Sequence, residues 1–321
     1  MNTKVVFNTW SGAFFNPGGG EVQLLNTKRH LETAGVSVSL YDQWNPSKTC
    51  DIFHQFSIQS GVELPMREYK NLGKKIALST ILWADFPEKG GLYYRIKEIF
   101  DLADILLTNS DRESEKLSKD FEIELSKFHK TRNSISEEFL NTDTQRDFRK
   151  NYSIQGDFIL SLANIDRRKN THALSQACLN LNLPLVLIGH IRDQIYFDEF
   201  KGKNPLLKYV GPLSDSTLIK SALQQCSVYA LPSICETPGI AALEAASQGA
   251  KIVITDQGPT EEYFKDMVTY VNPFLIDSIT QGIDKELKLD RNPQMLKNHV
   301  ISNYTWDQTA RDVIHGYQKI L

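Results

Sequence analysis

The 321-residue sequence has only four cysteines, Cys50, Cys178, Cys226 and Cys235, and no two stand in a Cys-x-x-Cys pair or at a metal-ligand spacing. That excludes a disulfide framework and a cysteine zinc site, and it reads as a chain of a reducing, cytoplasmic compartment. Neither charge is in excess: 36 basic residues face 39 acidic ones, for a net charge of −3, and residues 1–150 alone carry 20 against 21. A dedicated nucleic-acid binder concentrates basic residues, so no nucleic-acid partner is expected. No uncharged apolar run approaches the roughly 18 residues of a membrane span. After Met1-Asn2-Thr3-Lys4 the apolar run is only Val5-Val6-Phe7, too short for the core of a secretory signal. The first strand-to-helix turn, Asn16-Pro17-Gly18-Gly19-Gly20-Glu21, does not give Gly-x-Gly-x-x-Gly, and no acidic residue about 20 positions on closes a ribose site, which argues against a nicotinamide-type oxidoreductase. Repeats of solenoid period and low-complexity segments are also missing.

What is present is strand–helix alternation. Predicted strands are Lys4–Thr9, Val36–Tyr41, Ile52–His54, Lys75–Thr80 and Ile105–Thr108, then Phe158–Ala163, Leu185–Ile188, Lys208–Val210, Val228–Leu231, Lys251–Thr255 and Thr269–Val271. They are short and nearly all apolar, as parallel strands covered on both faces are. Predicted helices between them include Glu21–Ala34, Asp111–Lys119, Thr171–Asn180, Ser214–Gln225, Gly239–Gln248 and Ile279–Leu287. This pattern means right-handed βαβ units and an α/β fold of doubly wound parallel sheets. It restarts near Phe158, after a charged stretch from Glu137 to Tyr152 with few apolar residues. The expectation is two Rossmann-like domains, 1–152 and 153–304, facing each other across a cleft at the carboxyl ends of their strands. A closing helix over 305–321 would carry Trp306, Ala310, Val313, Ile314 and Tyr317 on one side.

The most informative stretch is Val228–Ala250, VYALPSICETPGIAALEAASQGA. A buried strand ends at Leu231, a Pro-Ser turn follows, and Glu236-Thr237-Pro238-Gly239 opens a helix. Glu236 stands beside the helix N-terminus, and Glu244 lies a little over two turns along. The N–H groups of Gly239, Ile240 and Ala241 point out of that terminus, which attracts phosphate or sugar oxygens. Gly239 lacks a Cβ and lets a ligand approach the backbone.

This string resembles the donor-site signature of the family 4 retaining glycosyltransferases of the GT-B fold: strand, Pro232-Ser233, Glu236, seven residues, Glu244-Ala245, then Gly249. Gly18-Gly19-Gly20-Glu21 resembles the family's N-terminal Gly-rich loop, Asp51-Ile52-Phe53-His54 its second-strand motif, and Leu107-Thr108-Asn109-Ser110 the strand before its inter-domain helix. Ser161–Asn170 (SLANIDRRKN) resembles the phosphate loop, Val210-Gly211-Pro212-Leu213 the base-binding turn, and Gly258-Pro259-Thr260-Glu261-Glu262-Tyr263-Phe264 the downstream motif. Tyr304-Thr305-Trp306 resembles the start of the helix that crosses back to the first domain.

The resemblance implies a retaining glycosyltransferase that moves a sugar from a nucleotide-sugar donor to a hydroxyl of a glycan or lipid-linked glycan, in polysaccharide biosynthesis. It implies that Glu244 accepts from the ribose hydroxyls, that Glu236 holds donor-sugar hydroxyls near the anomeric centre, and that the amides of Gly239, Ile240 and Ala241 face that sugar. Lys169 would neutralise the leaving diphosphate, with the Gly18–Gly20 loop approaching it and Leu213 in the base-binding turn. No Asp-x-Asp occurs, the motif with which the metal-dependent class holds its cation, so no metal and no cofactor beyond the donor is expected. Two departures stand out. Where the family has an Arg shortly before the phosphate Lys, this chain has Asn164, and Arg167 or Arg168 is the substitute considered. Where many relatives have a His after the fourth strand, it has Leu78-Ser79-Thr80-Ile81-Leu82-Trp83. His54 and Trp83 are the candidates for acceptor contact, and His190 is weighed on similar grounds. Cys235 reads as a small apolar residue, Tyr93-Tyr94 as core. Peripheral membrane contact at the inner face is considered for Lys127–Arg132 (KFHKTR) and Gly91–Leu102. The alternatives are a nucleotide-sugar epimerase of the same architecture and a non-catalytic nucleotide-sugar-binding subunit.

Overall fold

The computed structural model describes residues 3–15, 17–86 and 89–321; Met1, Asn2, Asn16, Pro87 and Glu88 lie outside the described residues. The chain divides into two compact units, Met1–Ser134 with Tyr304–Leu321, and Ile135–Asn303.

In the first unit the order is β1 (Lys4–Asn8), α1 (Gly19–Thr33), β2 (Ser37–Leu40), β3 (Ile52–Phe56), α2 (Glu63–Asn71), β4 (Lys75–Ser79), α3 (Gly91–Leu102), β5 (Ile105–Thr108), α4 (Asp111–Phe121) and β6 (Phe128–Lys130). The strands form a six-stranded parallel sheet in the order β2-β1-β3-β4-β5-β6. Because strand side chains alternate, the sheet feeds two cores. Val6, Phe53, Ile76, Leu78 and Leu106 join the side chains of α2, α3 and α4 on one face. Val5, Phe7, Ile52, Phe56, Ala77 and Leu107 join α1 on the other. The stretch weighed for membrane contact, Gly91–Leu102, is α3, and its apolar stripe of Tyr93, Ile96, Ile99 and Phe100 is buried in the first of these cores. Tyr94 stays exposed, unlike its neighbour Tyr93.

The second unit runs α5 (Phe148–Tyr152), β7 (Ile159–Leu162), α6 (Thr171–Asn180), β8 (Leu185–Ile188), α7 (Gln194–Asp198), β9 (Leu207–Gly211), α8 (Ser216–Gln225), β10 (Val228–Leu231), α9 (Ile240–Ser247), β11 (Ile252–Thr255), α10 (Thr260–Phe264), β12 (Thr269–Val271), α11 (Ile276–Lys288) and α12 (Pro293–Asn303). Its six parallel strands are ordered β12-β11-β10-β7-β8-β9. The order reverses between β7 and β10. That is the switch point at which loops leave in opposite directions and open a crevice at the carboxyl edge. The expected pair of doubly wound parallel sheets is therefore present.

The chain then returns to the first unit as α13 (Trp306–Gln318), opened by a capping box between Thr305 and Gln308. Trp306, Ala310, Val313 and Tyr317 are buried; Ile314, expected with them, is only partly so. The division also falls earlier than the sequence suggested. Residues 135–152 pack on the second unit: the Phe139 carbonyl accepts from Ser247 Oγ at 2.9 Å and Gln248 Nε2 at 2.8 Å. Further along, Phe148 N donates to Ser221 Oγ at 2.9 Å, and the Phe148 ring is fully buried beside Phe158. The stretch has few apolar residues, but those few are core.

Lys127–Arg132 is likewise an element rather than a basic patch. It contains the edge strand β6, and its cations are engaged: Lys127 Nζ donates to the Phe100 carbonyl at 2.8 Å, Arg132 Nε to Asp312 Oδ2 at 2.8 Å, and Lys130 pairs with Asp111. Among the described residues, no helix is long and apolar enough to cross a membrane.

Candidate functional site

The two loops at the switch point of the second unit carry most of the residues singled out in the sequence. After β7 the chain makes a 3-10 turn over Arg167–Lys169, fixed by Asp166, whose carboxylate accepts from Lys169 N at 3.0 Å. Asn170 then takes a left-handed conformation, φ 55°, and its Nδ2 donates to the carbonyls of Pro232 at 3.1 Å and Pro273 at 2.7 Å. Those bonds tie the loop after β7 to the loops after β10 and β12, and Ile234 N, donating to the Arg168 carbonyl at 2.8 Å, adds a second link to the loop after β10.

This crosslinking brings Lys169 and Glu236 together. Lys169 Nζ lies 2.5 Å from Glu236 Oε2, both side chains nearly buried, and Ser233 Oγ donates to the same oxygen at 3.0 Å. Arg168 Nη1 stands 3.9 Å from Glu236 Oε1 and is about half exposed. Burial alone would raise the Glu236 carboxyl; the charges of Lys169 and Arg168 and the hydrogen bonds from Lys169 and Ser233 outweigh it and hold the group below the usual carboxylate range. For Lys169, burial pulls the ammonium down against the opposing pull of Glu236.

Glu236 leads directly into α9. Gly239 is its N-cap at φ 93°, a conformation that suits glycine, and a Cβ there would press to 3.1 Å on Glu236 Cγ and Leu231 Cδ2. The first-turn amides of Ile240 and Ala241 have no carbonyl four residues back to bind. One loop further, Gly258 presses against the Glu236 backbone so closely that a Cβ would sit 2.1 Å from its carbonyl oxygen. Three loops thus fix one glutamate.

Glu244 lies on the same helix in a different environment. Its Oε1 accepts from Ser136 Oγ at 3.0 Å, and among the described residues no cation acts on it. Burial pushes this carboxyl up to about 8, and the nearby Glu138 adds to the rise while Ser136 opposes it. Leu213, half-buried, follows β9 at the same carboxyl edge of the sheet. Asn164 is in the loop after β7, with its side-chain amide facing the Arg192 guanidinium.

The remaining sequence candidates belong to the first unit. Gly18 caps α1, its N–H donating to Glu21 Oε2 at 2.7 Å, with Gly19 and Gly20 in the first turn. Trp83 is half-buried, with Lys116 Nζ 5.8 Å from its ring centroid. His54 is a correction: it is fully buried, with Nδ1 2.7 Å from Tyr317 Oη and Nε2 2.9 Å from Ser79 Oγ. Burial drives its pKa down to about 3. A neutral imidazole with both nitrogens engaged inside a core is a packing residue, not an acceptor contact. His190, by contrast, is exposed, and Cys235 is partly exposed.

Ser136, Ser233, Asn170, Arg192 and Gly258 were not singled out as site residues by sequence. Three of them carried a signal, Ser233 as half of the Pro-Ser pair, Asn170 at the end of the stretch that resembles the phosphate loop and Gly258 at the head of the downstream motif; the approach of Ser136 to Glu244 is encoded by no spacing. A cavity of about 370 Å³ lies at the opposite edge, by the amino ends of β10 and β11, lined by Cys226, Lys251, Met267, Arg291 and Leu296 among others. Its Lys251 is occupied by the carbonyls of Glu286, Leu287 and Leu289, and its Arg291 by Glu286. Among the described residues, no three His, Cys, Asp or Glu side chains are grouped to hold a metal ion.

Residues 143–302, nearly all of the second unit, match the family model described as Glycosyl transferases group 1. Among curated proteins, the serotype-specific mannosyltransferase WbdA of Escherichia coli is 25% identical over 241 residues, 69% of this chain and 29% of that protein. The uncharacterized glycosyltransferase MJ1607 of Methanocaldococcus jannaschii is 26% identical over 194 residues, 56% of this chain and 50% of its own length. The chain thus spans under a third of the mannosyltransferase it matches. Among solved structures, a glycosyltransferase from Rickettsia africae superposes with a TM-score of 0.79 at 15% identity, covering 99% of this chain and 98% of that one. Anabaena Alr3699/HepE, solved in complex with UDP, gives 0.79 at 15% identity over 99% and 100%. The chain belongs to the group 1 glycosyltransferases and is built on the GT-B fold.

Proposed function

We propose that this glycosyltransferase is a retaining, metal-independent hexosyltransferase that moves a sugar from a nucleotide-sugar donor to a hydroxyl of a glycan or lipid-linked glycan acceptor. The observation that carries the reading is the Lys169–Glu236 pair at the switch point, set beside the N-terminus of the helix that bears Glu244. On this reading the nucleotide ribose lies against Glu244 and the donor sugar against Glu236 and the amides of Gly239, Ile240 and Ala241. Leu213 borders the base. The bond from the anomeric carbon to the diphosphate oxygen breaks, and a bond to the acceptor oxygen forms on the same face. The acceptor proton passes to the departing phosphate oxygen. Charge develops on the diphosphate, and Lys169, with the helix amides, is placed to stabilise it without a metal ion. Diphosphate arriving at Lys169 would free the Glu236 carboxylate to accept from sugar hydroxyls.

Support for donor chemistry comes also from relatives: the HepE structure contains UDP, and the WbdA relative is a mannosyltransferase by name. The reading is tested by thermal shift with UDP, GDP, ADP, dTDP and CMP and their sugar conjugates, in chelator. A ligand at 100 times its Kd adds about 2.7 kcal/mol. One nucleotide should raise the melting temperature of the wild type and lose that effect in Glu244→Ala. Lys169→Ala should depress turnover more than binding. No shift with any nucleotide, with or without magnesium or manganese, would overturn the reading. An epimerised donor formed without acceptor would point to the epimerase instead, and donor binding with no turnover on any acceptor to a non-catalytic subunit.

A further inference from the structure

A carboxyl bonds through two oxygens, and in Glu244 the two are not alike. Oε1 accepts from Ser136 Oγ at 3.0 Å, and the Ser136 main-chain N–H also acts on the carboxyl. Among the described residues, no side chain bonds Oε2. The pair is almost closed off from solvent, with Ser136 7% and Glu244 9% exposed. A carboxylate offers about four hydrogen-bond sites over its two oxygens. A nearly buried one with a single side-chain donor therefore keeps capacity on the second oxygen, where buried polar atoms are ordinarily matched.

A register brings Ser136 to α9. The segment 135–141 runs along that helix at a constant offset of 108 residues: Ser136 meets Glu244, and the Phe139 carbonyl accepts from Ser247 Oγ at 2.9 Å. Gln248 Nε2 closes the row, donating to the carbonyls of Phe139 at 2.8 Å and Asn141 at 3.1 Å. From α8, Lys220 Nζ donates to Asn141 Oδ1 at 2.8 Å. Residues 244, 247 and 248 share one helix face, so the segment is tied to α9 a turn beyond Glu244 as well. The side chains of Ile135 and Phe139 are buried. The segment thus has its own hold on the helix, and the Ser136 hydroxyl is left with one task, the bond to Glu244.

We infer that Ser136 is a positioning residue of the donor site: by holding Oε1 it fixes the Glu244 carboxyl with Oε2 open to the ribose, and it thereby lets the site tell a ribonucleotide from its 2′-deoxy counterpart. The inference rests on the donor-site reading above, in which the ribose lies against Glu244. The open oxygen serves in either charge state: ionised, it accepts from a ribose hydroxyl; protonated, it donates to one. A glutamate free to rotate gives up that freedom when the ribose arrives, and the loss is taken from the affinity. A glutamate already tied has little left to lose. Removing the 2′-hydroxyl leaves this oxygen short of a partner, which is how a buried polar group discriminates.

The test uses the full chain and isothermal titration with UDP, GDP and ADP and the 2′-deoxy form of each, the weak ligands by competition. If the wild type binds none of the ribonucleotides, the donor-site reading fails and the inference with it. Where one binds, its 2′-deoxy form should bind about tenfold more weakly. Ser136→Ala should weaken the ribonucleotide about three- to tenfold, the scale of one side chain ordered on binding, and the 2′-deoxy form by less than about twofold. Ser136→Thr keeps the hydroxyl and should keep the wild-type ratio of the two affinities. In a Glu244→Ala background Ser136→Ala should change neither affinity, because a positioning residue has nothing to position there. Equal losses for the two forms in Ser136→Ala, an unchanged ribonucleotide affinity, or a wild type indifferent to the 2′-hydroxyl would overturn the inference while leaving the donor site standing.

Discussion

Glu236 and Glu244 are both buried on the stretch that opens and builds α9, yet they are held in opposite charge states. Lys169 and Ser233 meet the first, whose carboxylate is favoured; the second meets only Ser136, and burial keeps it protonated to about pH 8. The sequence names both residues but carries no sign of this difference, because it comes from a lysine 67 positions before Glu236 and a serine 108 before Glu244. The consequence is measurable. The folded state of Glu244 keeps a proton between its ordinary 4.5 and about 8, where the unfolded chain has lost it. The stability this lends is full below pH 4.5 and falls as pH rises towards 8, by at most about 1.4 kcal/mol per pH unit. The melting temperature of the wild type relative to Glu244→Gln should therefore fall between pH 5 and 8 and level off near 9. The ionisable groups acting on Glu244 are Glu138 of the 135–141 segment and Tyr229 of β10, itself raised far above its usual range by burial. On the helices packed against α9, Lys220 of α8 donates to Asn141 Oδ1 and His299 of α12 bonds to the Tyr263 carbonyl. A wild-type to glutamine difference that stays flat with pH would remove the protonated Glu244.

At the scale of elements, the apolar strands were legible because a parallel strand buried on both faces has to be a short apolar run. Ile105–Thr108, Leu185–Ile188, Val228–Leu231 and Thr269–Val271 have the bounds read from sequence. The edge strand β6 did not, since its residues Phe128, His129 and Lys130 read as charge and it is held from only one side. The placement of loops was legible only through topology: the reversal between β7 and β10 is a property of strand order, and it is what sets Lys169 against Glu236. The loop after β11 joins them at Gly258, whose φ of 119° and 2.1 Å clearance leave no room for a side chain. Gly258→Ala should push the Glu236 turn aside. We expect a stability loss of about 1–3 kcal/mol and a fall in sugar transfer of tenfold or more, as a displacement near 1 Å can cause. Denaturant melts and single-turnover assays would show both. Normal turnover in Gly258→Ala would mean that the Glu236 carbonyl can yield without moving its carboxylate.

For the whole molecule, the notable feature is that the first unit is assembled from both ends of the described chain. Sequence placed a helix at 305–321 with the right apolar stripe, but not the bond that seats it: Tyr317 Oη to His54 inside the core of the β3–β4 sheet. The division at 134 rather than 152 was hidden for a related reason, since a stretch with few apolar residues can still be tied down by backbone and amide bonds. Tyr317→Phe strands a buried imidazole nitrogen and should cost about 1–3 kcal/mol. Hydrogen exchange should quicken in β3, β4 and α13, while nucleotide affinity, which the proposed function places in the second unit, should hold. Protection unchanged in β3 would show that His54 finds another partner.

The split unit also sets an order of events during synthesis. At about 5–20 residues per second, all of Ile135–Asn303 leaves the ribosome in roughly ten to thirty seconds, and only then does α13 follow. Through that interval the sheet face carrying Phe7, Phe56 and Leu107 has made its strands and α1 but lacks the helix that covers them. The later-made half is the contiguous one and closes first; the earlier-made half waits, with an apolar face open, for the cell's holdases or for its own final turn.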